Sequence, residues 1–246
     1  MKRKKVLLTT VLILFSAAST AGAAEPSARE FMKGLHIFGD SSSLIMEFVM
    51  QIRSPQGEKE RILNLHMDRS SEDQKLLIQI KSPAFLSSMK YLSRRERGKE
   101  TRWLKTSRGV RRLSARNNSD SLFGSDFTVE DLSLAELDSY TWSYEGDAPD
   151  GDVRIRAVPL YDSPGFDYKV FTVGQSDRLL KQIDYYGGGA LIKQYRLIES
   201  MSAGDSPFPR VVTMKTLKDQ TETVLTVRSV EFVPSLQAGV FNKGNL

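Results

Sequence analysis

Apolar side chains return at every second residue along most of this chain, and that alternation limits the fold more than any other feature. In LIMEFVMQIR, Leu44, Met46, Phe48, Met50 and Ile52 share one parity. In RILNLHMD, Leu63, Leu65 and Met67 share one face and Asn64, His66 and Asp68 the other, while Leu76, Ile78 and Ile80 repeat the pattern in KLLIQIK. Later runs such as DVRIRAVPL, YKVFTV, RLLKQIDYY, RVVTMKTL and TVLTVRSVEF continue it, separated by turn-forming Ser-Pro-Gln-Gly, Asp-Ser-Pro-Gly and Gly-Gly-Gly. Period two with frequent turns predicts a mainly β (α+β) chain, an antiparallel meander of about ten to twelve strands. A sheet that wide twists and curls, so it is expected to bend into a barrel or half-barrel.

Two stretches break the alternation. Ser27 with Glu30, followed by Phe31, Leu35 and Phe38, predicts a capped helix over Ser27–His36. Thr128 with Asp131 and Ser133 with Glu136 repeat the capping pattern, and Val129, Leu132 and Leu137 supply an apolar side, predicting a helix over Thr128–Leu137. Both helices are placed over the concave side of the sheet. The N-terminus is set apart: Lys2–Lys5 is basic, Val6–Phe15 is apolar, and STAGAA offers small residues for cleavage after Ala23 or Ala24. Residues 1–24 are read as an export signal, and 25–246 as one domain.

That leader holds four of the 35 Lys+Arg and none of the 30 Asp+Glu, leaving 31 basic residues against 30 acidic. No basic excess remains to neutralise phosphates, which argues against a nucleic-acid partner. No cysteine occurs, so disulfides, thiolate metal ligands, a cysteine nucleophile and a lipidated N-terminal cysteine are excluded. The charges are nevertheless segregated. Lys90–Arg116 holds eleven Lys/Arg and two acids, and Asn117–Asp152 holds ten acids and no Lys or Arg.

Enzyme signatures are weak. His36 and His66 are the only histidines, His66 lies on the polar parity of its strand, and no metalloprotease, nucleophile-elbow or phosphate-loop motif is present. Asp126, Glu130 and Asp131 could converge on a divalent cation or act as acid and base. The helix-cap reading explains the same residues and is preferred. No catalytic residue, metal or cofactor is therefore expected. The arginine block has three readings: a solvated strand face, an ion-pair seam with the acid block, or a docking face at Arg108, Arg111 and Arg112.

The run IKSP, the strand to Trp103, VRRLS and then FGSDFTVEDL resembles the outer-membrane lipoprotein-sorting protein family, relatives of the periplasmic carriers LolA and LolB. IDYYGGGALIK resembles the family's strand-turn-strand, while a proline expected after the Trp103 strand is missing. The resemblance implies an unclosed half-barrel, a helical lid carrying Phe127, Val129 and Leu132, an apolar cavity for acyl chains, and no catalytic residues. It implies a periplasmic carrier of lipid or lipidated cargo, working with an inner-membrane transporter or outer-membrane acceptor. On that reading the cavity is lined by Met46, Phe48, Met50, Leu63, Leu65, Met67, Ile78, Ile80, Trp103 and Met214, the flexible thioethers suiting irregular apolar ligands. A non-catalytic adaptor, docking a protein through Lys90–Asp152, is the alternative.

Overall fold

The computed structural model describes residues 26–33, 35, 43–69, 73–132, 136–148, 151–161, 165–204 and 206–246. The leader and His36 lie outside them. The first half gives strands β1 (Ser43–Ser54), β2 (Gly57–Asp68), β3 (Gln74–Ser82), β4 (Lys90–Glu96), β5 (Lys99–Thr106) and β6 (Gly109–Leu113). The second half gives β7 (Tyr140–Asp147), β8 (Val153–Pro159), β9 (Tyr168–Val173), β10 (Leu180–Gly187), β11 (Ala190–Ala203), β12 (Ser206–Thr216) and β13 (Thr221–Val233).

All thirteen form one sheet in the order β6-β5-β4-β3-β2-β1-β13-β12-β11-β10-β9-β8-β7. Every neighbouring pair is antiparallel, and β6 and β7 are its two edges, so the sheet is not closed. The chain starts in the middle, meanders out to β6, crosses to β7, and meanders back until β13 pairs with β1. The strand count is one above the expected range because the charged run Lys90–Leu113 makes three complete strands.

The turns have local causes. Gly188 and Gly189 between β10 and β11 both take positive φ, +59° and +78°. That is the type I′ geometry whose twist matches the flanking strands. At the start of the chain, helix α1 (Ala28–Lys33) forms behind the predicted capping box: the Ser27 amide donates to Glu30 Oε2 at 3.0 Å, and the Glu30 amide to Ser27 Oγ at 3.3 Å.

Alternation sorts the strands into two faces. The concave face carries most of the core, with Leu44, Met46, Phe48 and Met50 of β1 packing with Leu63, Leu65, Leu76 and Ile78. In the other half Ile155, Ala157, Phe171, Val173 and Ile183 pack with Phe31 and Met32 of α1. On the convex face a smaller cluster of Leu77, Leu92 and Phe241 is joined by partly buried Trp103, under the C-terminal segment. His66 is half-buried there rather than exposed, and desolvation followed by Lys81 lowers its pKa.

The predicted helix over Thr128–Leu137 is corrected. Its cap forms, with the Thr128 amide and hydroxyl both donating to Asp131 Oδ2 at 2.7 and 2.9 Å. Beyond the cap the chain makes only a single 3-10 turn, Glu130–Leu132, and a short helix α2 (Glu136–Ser139), with 133–135 outside the described residues. The Asp131 carboxylate, which would face solvent on such a helix, instead points into the protein toward Tyr185 of β10 and Lys193 of β11.

Candidate functional site: an apolar cavity beneath the crossing segment

Residues 114–139 leave β6 and cross to β7, and beneath them lies a cavity of about 160 Å³. Its wall draws on β1, β2, β3, β9 to β13 and the crossing segment, so both halves of the curled sheet contribute. An apolar cavity of roughly 150 Å³ stays dry and takes up a small hydrocarbon. Of the ten residues predicted to line it, Met46, Phe48, Met50, Leu63, Leu65, Ile78 and Met214 do so. Met67 and Ile80 are buried in the same concave core but do not reach the cavity. Trp103 is corrected: it packs on the convex face, because its parity on β5 is opposite to that of Leu104.

The crossing segment forms the roof. Phe127 and Leu132 line the cavity, as does Leu122, whereas Val129 is buried in the neighbouring core without lining it. These residues belong to an irregular segment and a 3-10 turn, not to a lid helix. Apart from Met214, the wall supplied by the second half was not foreseen, including Phe171, Tyr185, Phe208 and Leu225. The signal was available in YKVFTV, where Phe171 and Val173 share a parity with Lys169.

Three acids raised as metal or acid/base candidates instead pin the roof. Asp126 is buried against β13: its amide donates to Thr223 Oγ1 at 2.9 Å, and Thr223 Oγ1 donates to its Oδ2 at 2.7 Å. Thr221 donates to Oδ1 of the same carboxylate. Glu130 accepts from the Tyr140 hydroxyl. Asp131 accepts from Tyr185 Oη at 2.7 Å and Lys193 Nζ at 2.6 Å, with its side chain only 6% exposed.

Burial alone would push the Asp131 carboxyl up, but the Lys193 and Lys169 ammonium groups and its hydrogen bonds outweigh that and hold it at about 2. Lys169 is 1% exposed, with its ammonium 4.8, 5.1 and 5.2 Å from the ring centres of Tyr140, Phe166 and Tyr185. Aromatic faces and a nearby carboxylate are what a cation needs to tolerate such burial. The result is a buried ionic knot joining the roof to β9, β10 and β11. Among the described residues no three His, Asp or Glu side chains are grouped to hold a metal ion.

Two ion pairs and one hydrogen bond to a neutral side chain join the basic block to the segment that follows it. Arg111 reaches Asp120 at 3.2 Å, Arg102 donates to Asn118 at 2.7 Å, and Arg95 and Arg29 both meet Asp138 of α2, at 2.6 and 2.7 Å. Arg108 and Arg112, with Arg111, remain exposed around edge strand β6.

The fold is shared with several solved structures. A DUF1329 family protein from Desulfovibrio piger superposes with a TM-score of 0.79 at 20% identity, covering 89% of this chain and 97% of that one. A Vibrio parahaemolyticus domain named for outer-membrane lipoprotein sorting gives 0.76 at 22% identity, over 83% and 91%. A LolA superfamily protein from Nitrosomonas europaea gives 0.71 at 18% identity, over 90% and 100%. The predicted likeness to lipoprotein-sorting proteins therefore holds at the level of fold. No curated protein matches the sequence. Residues 72–246 match the model of a family whose description reads "-like: Uncharacterized protein". Since that match spans more than half of the sequence, the chain belongs to this family.

Proposed function

We propose that this protein is a periplasmic carrier that shelters part of a lipid or lipidated cargo in the cavity beneath the crossing segment. The observation that carries the reading is the cavity itself: a hollow in the concave core, walled by apolar side chains from both halves of the sheet. Each CH₂ moved out of water gains roughly 0.8 kcal/mol. An acyl chain therefore needs such shelter to cross an aqueous compartment. Met46, Met50 and Met214 give the wall flexible side chains that adjust to a chain's shape. The fold neighbours, one named for outer-membrane lipoprotein sorting and one for the LolA superfamily, support the same reading. Among the described residues no helix is long and apolar enough to cross a membrane. Delivery to an envelope transporter or outer-membrane acceptor would use the exposed arginines around β6.

Native mass spectrometry with lipid extraction tests the reading. The purified protein is expected to retain an amphiphile, or to take one up at micromolar concentration. Val227→Phe, which directs a ring into the hollow, is expected to abolish uptake while leaving the melting temperature unchanged or raised. Wild-type protein that takes up no amphiphile at all overturns the proposal.

A further inference from the structure

The wall of the cavity is not continuous. Strand β12 pairs with β13 only over Val211–Thr216, whereas its outer segment Ser206–Pro209 pairs with β11 alone and Arg210 falls at the register shift between them. Strand β13 continues past that point paired with β1, from Val227 to Val233. The two strands thus part company at Arg210. Pro207 and Pro209 stand at alternate positions there, so their missing N–H groups fall on one edge of the strand. Phe208 and Phe232 meet edge to face across the split, with ring centres 6.1 Å apart.

Arg210 stands at the start of this split and lines the cavity, on the same parity as Phe208, Val212 and Met214. Among the described residues the one other charged group in the wall is Asp131, whose charge is already answered by Lys193. Arg210 is different. It reaches Glu199 of β11 at 2.9 Å, and both side chains are 51% exposed. A pair that wet is held weakly, so a ligand anion can take the place of Glu199 at little cost. The guanidinium then offers two parallel donors to a carboxylate or phosphate.

From this we infer that the cargo is an anionic amphiphile, with its acidic head on Arg210 and its apolar chain entering the cavity where β12 leaves β13. The inference rests on the carrier reading and deepens it by naming the chemistry of the head. It also fixes the polarity of loading, tail inward and head at the break in the sheet.

Isothermal titration of the protein with dodecanoate, dodecanol and dodecyltrimethylammonium tests it. Dodecanoate is expected to bind about tenfold or more tightly than either of the others. Arg210→Glu should cost at least that factor for dodecanoate and reverse the preference toward the cation, with an unchanged melting temperature as the control for folding. Glu199→Gln, which removes the competing carboxylate, should tighten dodecanoate binding. Equal binding of all three probes, unaltered in Arg210→Glu, overturns the head-group site and leaves the carrier reading standing. Failure of every probe to bind wild-type protein removes both.

Discussion

Asp131 shows how one side chain can change roles between sequence and structure. Its place after Thr128 marks it as a helix-capping acid, and it does cap, but the same carboxylate also holds Lys193 and Tyr185 in the interior. Its pKa is depressed from 3.8 to about 2. The associated stabilisation is therefore complete above roughly pH 4 and disappears as the pH falls toward 2, amounting to ~2 kcal/mol. Asp131→Asn should lose this and also take the carboxylate partner from the buried Lys193 ammonium, for a total of about 3 kcal/mol at neutral pH. Urea titrations across pH 2–7 check it: the variant's acid limb should be flatter between pH 4 and 2 than that of the parent. A parallel acid limb would assign the knot no part in stability.

Among the elements, the crossing segment separates what was legible in the sequence from what was not. Strand faces were readable because a strand's neighbours do not change which side a residue is on, and parity put Met46, Met50, Leu63 and Ile78 in the cavity wall. Trp103 failed because β5 carries apolar groups on both faces, Leu104 inward and Trp103 outward under the C-terminal segment. The roof failed because its shape is set by residues far away in sequence. Thr221 and Thr223 of β13 hold Asp126, and nothing in FGSDFTVEDL announces them. Thr223→Val keeps the shape of that side chain but removes its hydroxyl, leaving the buried Asp126 amide without its acceptor at a cost of ~1–3 kcal/mol. Hydrogen exchange should quicken at Leu122, Val129 and Glu130, whose amides donate within the crossing segment, while β1 and β2 stay protected. Uniform protection in the variant would show that the roof does not depend on this anchor.

Across the whole molecule, charge is segregated by position in the fold as well as in sequence. Much of the arginine block occupies one edge of the sheet, and six of the ten acids that come after it belong to the crossing segment, where Asp138 meets Arg95 and Asp120 meets Arg111. Arg108 and Arg112 project from the remaining edge, on and beside a five-residue strand with one neighbour only. If that edge is where an acceptor docks, the double reversal Arg108→Glu, Arg112→Glu should slow transfer of a bound fluorescent fatty acid to acceptor membrane extracts about tenfold, with cargo affinity unchanged. Equal transfer rates would move docking elsewhere.

Of the sheet's twelve strand pairings, eleven join neighbours in sequence, and only β1 with β13 brings together distant parts of the chain. Each half can zip up locally, but their union waits for the final strand. Until that strand is supplied, the oily sides of both leaves face water and invite association with other copies. The same seam that makes the hollow makes its biosynthesis hazardous: the newly made polypeptide has nowhere to hide its interior until its last strand has been delivered.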